Sequence, residues 1–348
     1  MRADSGAAKG QVSESDWHRA LSKYEQPNLR RAVWQLLDTV VPYLTLWVLM
    51  VLTVHHGFPY WITLALAVVA AGLLVRIFIF FHDCCHGSFF PSRRANRILG
   101  YVSGILTFTP YEDWRRAHAG HHATSGDLDR RGTGDVWTLT VREYLAAPKL
   151  KRLAYRLVRN RFVMFGLAPA CLSLILQRIP HRMAGKRECY SVIFTDLAIA
   201  AIIGVASVTI GVRTYLMIQL PIMLIAGTIG VWLFYVQHHY EGVYWARHQD
   251  WDPMRAALEG SSYYKLPGML QWVTGNIGLH HIHHLRPRIP NYNLQQCYDD
   301  MPVMQAVEPL TIRRSLKSLR MNLWDEKEHK LVSFRSMRTR PAPRKFPW

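Results

Sequence analysis

Four apolar runs, arranged as two close pairs, most narrowly limit what this chain can fold into. They cover about residues 34–54, 60–81, 192–210 and 214–236. Each approaches the roughly 20 mainly apolar residues a helix needs to cross a bilayer. Within a pair the connection is very short: His55-His56-Gly57-Phe58-Pro59 in the first and Gly211-Val212-Arg213 in the second. Links of that length predict antiparallel hairpins. Lipid offers no partner to backbone amides, so the expected class is an all-α integral membrane protein of four transmembrane helices in two hairpins. Charge follows the same division. Of the 42 Lys and Arg residues, all but Arg76 and Arg213 fall in segments 1–33, 82–190 and 237–348. The positive-inside rule then puts both termini and the 82–190 segment in the cytosol, as in a multi-pass protein of a bacterial inner membrane or its equivalent.

A net charge of +18 with a pI near 9.9 is often a nucleic-acid footprint. Here the charge brackets the apolar runs, which argues for lipid and against nucleic acid. The expected organisation is a cytosolic N-terminal segment (1–33), one membrane domain (34–310) and a basic, partly disordered cytosolic tail (311–348). The tail is rich in Arg, Lys and Pro from Arg335 onward and suits contact with anionic lipid. Two further apolar stretches are poor spans. Residues 98–110 predict a re-entrant or interfacial hairpin, and 162–177, interrupted by Pro169, an interfacial helix. The five cysteines (Cys84, Cys85, Cys171, Cys189 and Cys297) form no spaced disulfide framework, which points to a reducing compartment. The first residues, with Asp4, Glu14 and Asp16, do not resemble a cleaved signal peptide.

Histidine is the chemistry-bearing residue. Much of the total of 17 sits in three windows: His82-Asp83-Cys84-Cys85-His86, His118-Ala119-Gly120-His121-His122 and His280-His281-Ile282-His283-His284. The first gives an i, i+4 pair, and the others each repeat i, i+3, i+4. On a helix these spacings share a face and can converge on one metal ion. The first window starts at the inner end of the second run, and the pair His238-His239 starts at the inner end of the fourth. All the groups therefore fall on one side, close to the membrane. Eight or nine imidazoles exceed the needs of one ion and suit two ions at four or five ligands each, with positions left open. Zinc explains the number poorly, because catalytic zinc takes about three protein ligands and structural zinc four, usually with cysteine. Asp83 is a candidate for orienting His82 or His86. Asn276, four residues before His280, would share its face if one helix ran through both. Cys84 and Cys85 read as small packing residues. His18, His55 and His56 read as surface or loop histidines, the last two on the wrong side. Trp114, Trp137, Trp245, Trp251, Tyr263 and Tyr264 are candidates for an acyl groove, for an interfacial belt or for ordinary packing.

The order HDCCH, HAGHH, HHIHH resembles the membrane fatty-acid desaturases, specifically the acyl-lipid branch of bacteria, cyanobacteria and plastids. The likeness runs through Gly87-Ser88-Phe89-Phe90, from His122 to Trp137, through Gly275-Asn276-Ile277-Gly278-Leu279, and from Leu285 to Tyr292. It covers most of residues 35–310. The resemblance implies two iron ions in a histidine-ligated di-iron centre carried by a cytosolic helical cap. Its ligands would be His82, His86, His118, His121, His122, His280, His283 and His284, with His238 as the ninth and His239 as the competing choice. His281 would be second to the ligands or have no role. The implied reaction inserts a cis double bond into a lipid-linked acyl chain, using O2 and two electrons. No His-Pro-Gly-Gly haem motif and no Gly-rich nucleotide loop is present, so an external donor is implied, and the basic surface suits ferredoxin or flavodoxin. The alternatives are a related di-iron hydroxylase or epoxygenase, a carotenoid ketolase or oxygenase, a metal sensor or receptor, and a non-enzymatic metal transporter. The last fits poorly, since the histidines cluster outside the apolar runs.

Overall fold

The computed structural model of the chain describes residues 19–132 and 134–336; His18 and the end of the basic tail lie outside them. Four helices are long and apolar enough to cross a membrane. They are α1 (Leu29–His55), α2 (Tyr60–His86), α8 (Lys186–Thr209) and α9 (Val212–His238). Between the two pairs come α3 (Arg93–Leu106), α4 (Tyr111–Thr124), α5 (Val141–Ala146), α6 (Lys149–Val158) and α7 (Ala168–Leu174). After them follow α10 (Pro253–Leu258), α11 (Gly268–Val273), α12 (His280–Leu285) and α13 (Asn291–Asp300). Each long helix starts or ends at least two residues beyond its apolar run, so charged and histidine-bearing turns project from the apolar slab.

The second of these helices is the central one. The most apolar part of α2 is 61% buried inside the protein, against 17% for α1 and 22% for α8. Its small residues Ala67, Ala70 and Ala71 are fully buried in one cluster with Ile218, Ile222 and Ala226 of α9. Small side chains let two backbones approach closely where lipid supplies no hydrophobic drive between helices. α2 stops where the sequence has Gly87, which takes the left-handed conformation (φ 68°) and donates its amide to the Cys84 carbonyl. That stop leaves His82 and His86 in the last turns of α2, while His238 is the last residue of α9.

Two sequence expectations change. Residues 98–110 do not form a hairpin. Ser92 accepts the amide of Ala95, a cap that starts α3 upstream of the apolar stretch. Gly100 and Gly104 then face Tyr111, and Thr109 with Phe81, so they serve close packing, not a chain reversal. Residues 162–177 are not one helix either. A π-turn (Val163–Leu167) leads into α7, and this unit bends 60° away from α6. Phe165 accepts the Thr228 hydroxyl of α9, while Phe162, Leu167 and Ile175 stay exposed. The stretch of the tail expected to be disordered, from Arg335 onward, falls almost wholly outside the described residues, and what is described of residues 311–336 is folded. Strands Leu323–Asp325 and Lys330–Val332 form a hairpin that buries Leu323 against Leu139, Tyr144 and Tyr155, and Trp324 against Leu128, Val243 and Trp245. The Trp324 amide donates to Leu139 O at 3.1 Å.

Candidate metal centre

Two adjoining groups of imidazoles are assembled from α2, α4, α9 and α12. His82, His86, His118, His122 and His283 form one, and His121, His238, His280 and His284 the other. Within each group the ring nitrogens lie within 4.8 Å of one another. The groups touch where the His122 and His284 rings stack at 4.2 Å. All nine histidines named from the sequence are brought together here.

Their partition differs from the one-face expectation. An α-helix turns about 100° per residue, so residues i and i+4 point about 40° apart, while i+3 points about 60° to the other side. Accordingly His118 and His122 share the first group and His121 turns to the second. On α12, His280 and His284 share the second group and His283 turns to the first. The i, i+4 pairs stay together, and the i+3 members cross over and tie the groups into one site.

The ring nitrogens facing inward cannot satisfy one another. His122 Nε2 lies 3.1 Å from His118 Nε2 and 3.0 Å from His283 Nε2. His238 Nε2 lies 3.1 Å from both His121 Nε2 and His280 Nε2. A neutral imidazole nitrogen is either donor or acceptor, so such triplets cannot all pair. The buried Nε2 atoms of His82, His86 and His284 have no partner. Burial, reinforced by neighbouring imidazoles, holds His118, His122, His280, His283 and His284 well below the usual histidine pKa. They are thus neutral lone-pair donors, the form a metal requires. The donor set fits two cations with mainly nitrogen ligands.

Several outer nitrogens are held from behind, which fixes the tautomer. His121 Nδ1 lies 2.6 Å from Asp135 Oδ1. His238 Nδ1 reaches Gly260 O at 3.2 Å, and His82 Nδ1 lies 3.2 Å from Asp83 Oδ1. The other Asp83 oxygen accepts the backbone amide of Asn291 at 2.7 Å and its side-chain amide at 2.9 Å. Sequence reasoning named Asp83 but missed Asp135, Gly260 and Asn291. Asp135 follows Asp127 and Asp129 in one loop, with nothing local to separate the three. Asp127 instead pairs with His248, and Asp129 with Arg247.

The remaining candidates lie outside both groups. His239 stacks on Tyr235 at 4.8 Å, and its Nε2 contacts the Thr138 hydroxyl at 2.8 Å. His281 is fully buried, and burial lowers its pKa to about 4. It lies 5.9 Å from the Tyr263 ring and belongs to neither group. Asn276 shares no helix with His280, because α12 begins at His280. Asn276 instead takes a left-handed turn (φ 59°) and donates to Asn291 O at 3.1 Å. Cys84 and Cys85 belong to neither group, and all five cysteines are free. His55 and His56 are exposed at the opposite end of α1 and α2. Of the six groove aromatics only Trp114 meets a histidine of the two groups, stacking on His118 at 4.2 Å. Trp137 packs on Tyr155, Trp245 on His239, and Tyr263 on Tyr298. Trp251 donates to Ser125 O, and Tyr264 accepts from Trp232. Phe234, not anticipated, borders His121 and His238 at 5.1 and 5.4 Å.

Comparison with known proteins agrees with this site. The sequence model of the fatty acid desaturase family matches residues 58–312. The chain is 47% identical over 324 residues to a fatty acid desaturase of Bacillus subtilis (strain 168), covering 93% of this chain and 92% of that protein. It is 28% identical over 236 residues to the sn-1 oleoyl-lipid 12-desaturase of Synechocystis sp., covering 66% of this chain and 65% of that protein. To the sn-1 acyl-lipid omega-3 desaturase (ferredoxin) of the same organism it is 26% identical over 259 residues, 67% of this chain and 69% of that protein. With most of its length matched and its clustered histidines gathered at the ends of membrane-length helices, this chain belongs to the fatty acid desaturase family of oxidoreductases.

Proposed function

We propose that the two imidazole groups hold two iron ions and that the enzyme desaturates the acyl chain of a membrane lipid. The carrying observation is the pair of buried groups, five and four rings, whose inward nitrogens have no adequate protein partner. The ligands are His82, His86, His118, His122 and His283 on one side, and His121, His238, His280 and His284 on the other. The balanced reaction is –CH2–CH2– + O2 + 2 e⁻ + 2 H⁺ → –CH=CH– + 2 H2O. Bound iron would supply the activation of O2 that removing hydrogen from unactivated methylenes requires.

The chain itself supplies geometry. Asp135, Asp83 and the Gly260 carbonyl point the Nε2 lone pairs of His121, His82 and His238 inward. Phe234 and Trp114 wall the rings, keep water out and leave an apolar approach for the acyl chain. Selectivity for one carbon pair then rests on how the chain is held, since positioning can supply several kcal/mol. The lipid-linked substrate is supported by the acyl-lipid desaturases among the relatives.

The electron donor is external, and the ferredoxin named for one Synechocystis relative supports a small acidic carrier. The distribution of Lys and Arg supports a cytosolic site. The organisation into segments 1–33, 34–310 and 311–348 belongs to the same reading, with residues 311–336 folded onto the cap.

The test is expression in a host lacking polyunsaturated lipids, with mass spectrometry of lipid-bound acyl chains and metal analysis of the purified protein. Two irons per chain and new double bonds are expected. A hydroxylated or epoxidised product would replace desaturation with the related oxygenase chemistry. For the donor, turnover with ferredoxin that ignores ionic strength would refute electrostatic docking.

A further inference from the structure

Glu112, in the first turn of α4, is 1% exposed, yet three guanidinium groups converge on it. Arg187 NH2 lies 2.6 Å from Oε1, Arg115 Nε 3.0 Å from Oε2, and Arg97 Nε 3.7 Å from Oε1. The Ser191 hydroxyl accepts the Glu112 amide at 3.0 Å, which fixes the carboxylate between α4 and α8. A buried carboxylate is neutralised by one such partner. Three leave two positive charges over, and each guanidinium carries five N–H donors. Among the described residues Glu112 is the one carboxylate these three arginines meet, and their side chains are 60%, 42% and 54% exposed for Arg97, Arg115 and Arg187. The nearby Arg116–Glu188 and His181–Asp113 pairs balance internally and do not cancel the excess.

What lies beside this charge is apolar. Arg187 is the second residue of α8, so it heads a helix long and apolar enough to cross the membrane. Tyr190, Phe194 and Leu197 follow it at helical spacing on the same face and are 68%, 51% and 65% exposed. On α3, the Arg97 guanidinium lies 5.9 Å from the Tyr101 ring, which meets Phe194 edge-on at 5.5 Å. Ile98 and Val102 beside them are 56% and 51% exposed. Guanidinium donors at a polar boundary above an exposed apolar strip match a phosphate carrying acyl tails. They match a soluble anion or an acidic protein less well, since neither would use the strip.

We infer that Arg97, Arg115 and Arg187, held together by Glu112, form a binding site for the phosphate headgroup of a membrane glycerophospholipid. The guanidiniums take the phosphate oxygens in charge-assisted hydrogen bonds, and the tails lie along Tyr101, Val102, Tyr190 and Phe194. Arg115 stands one helical turn before His118 on α4, so an occupied site lies within reach of the metal centre. The lipid site needs no metal.

The experiment is native mass spectrometry of the purified full chain. The micelles contain equal amounts of phosphatidylglycerol and digalactosyldiacylglycerol with identical acyl chains. The wild type is expected to retain phosphatidylglycerol preferentially. A basic side chain near the membrane surface contributes about fivefold in binding, so replacing all three by Gln should cost on the order of a hundredfold. Arg97 makes no hydrogen bond to Glu112, so Arg97→Gln alone leaves that anchor intact and should cost about fivefold. Arg187→Lys should recover part of the loss seen in Arg187→Gln. Equal retention of both lipids by the wild type, or unchanged preference in Arg97→Gln and the triple variant, overturns the site. Displacement of the lipid by millimolar inorganic phosphate would show a free-anion site and overturn the lipid assignment. Metal content is measured on the same samples, so failure of the di-iron reading and failure of the lipid site give separate signals.

Discussion

Asp135 offers the sharpest test of how the centre is built. Its Oδ1 lies 2.6 Å from His121 Nδ1, and its side chain is 9% exposed. The carboxylate therefore holds the Nδ1 proton and leaves the Nε2 lone pair aimed at His238, 3.1 Å away. Asp135→Ala removes that acceptor in a poorly hydrated place, and His121 becomes free to rotate or change tautomer. Loss of such an outer partner typically lowers metal affinity 10- to 100-fold, or about 1.4–2.8 kcal/mol at 1.4 kcal/mol per tenfold. Asp135→Asn keeps an acceptor oxygen but not the charge, and should fall between. The damage should be confined to the group of His121, His238, His280 and His284, because none of the other five rings touches Asp135. Purified protein is challenged with a graded chelator, and iron per chain is followed by plasma mass spectrometry. The wild type should hold two irons, while Asp135→Ala loses one at 10- to 100-fold lower chelator and keeps the other. Equal chelator resistance in the two proteins, or simultaneous loss of both irons, would refute the division into separately supported groups.

Three further outcomes are expected. His239→Gln and His281→Gln should keep both metals, whereas His283→Gln should weaken the five-ring group; metal analysis of the three side by side decides, and loss in His281→Gln would bring that residue into the site. Gly100→Ala places a methyl carbon 2.2 Å from Tyr111 Cε2, and Tyr111 is buried with its hydroxyl on Cys84 O at 2.9 Å. Overpacking of this kind costs about 1–3 kcal/mol, so thermal unfolding in detergent should come earlier, and an unchanged midpoint would contradict the tight α3–α4 contact. His181 is hydrogen-bonded to Asp113, and this raises its pKa above the usual histidine value. A raised folded-state pKa gives stability that is fully present below the unfolded pKa and lost as pH rises through the folded one. The pair is partly exposed and screened, so no more than about 1 kcal/mol is at stake. His181→Gln should flatten stability against pH just above 6.5, and an unaltered slope there would remove the pair from the account.

Much of the architecture was legible because it is local. Hydropathy runs depend only on residues adjacent in the chain, and they locate all four membrane-length helices to within a few residues. Helical spacing likewise marks eight of the nine histidines as three local sets, since i, i+3 and i+4 positions are neighbours whatever surrounds them. Less legible were stretches whose fate depends on distant partners. Gly100 and Gly104 suggest a turn until Tyr111 and Phe81 fill the space they leave. At the end of α9, adjacent histidines part ways by backbone direction: His238 points to His121 and His280, and His239 to Thr138.

By itself, then, the sequence determined four helices of membrane-spanning length and the local sets of histidines, because composition and periodicity act over a few residues. Only the tertiary structure decided that the rings divide five and four, with His121 and His283 crossing between groups. It alone selected Asp135 over Asp127 and Asp129 as the partner of His121, and it alone brought Arg97, Arg115 and Arg187 onto one buried carboxylate. These are meetings between residues on different helices, fixed by how the helices rotate and pack against one another, and no local pattern in the chain encodes that.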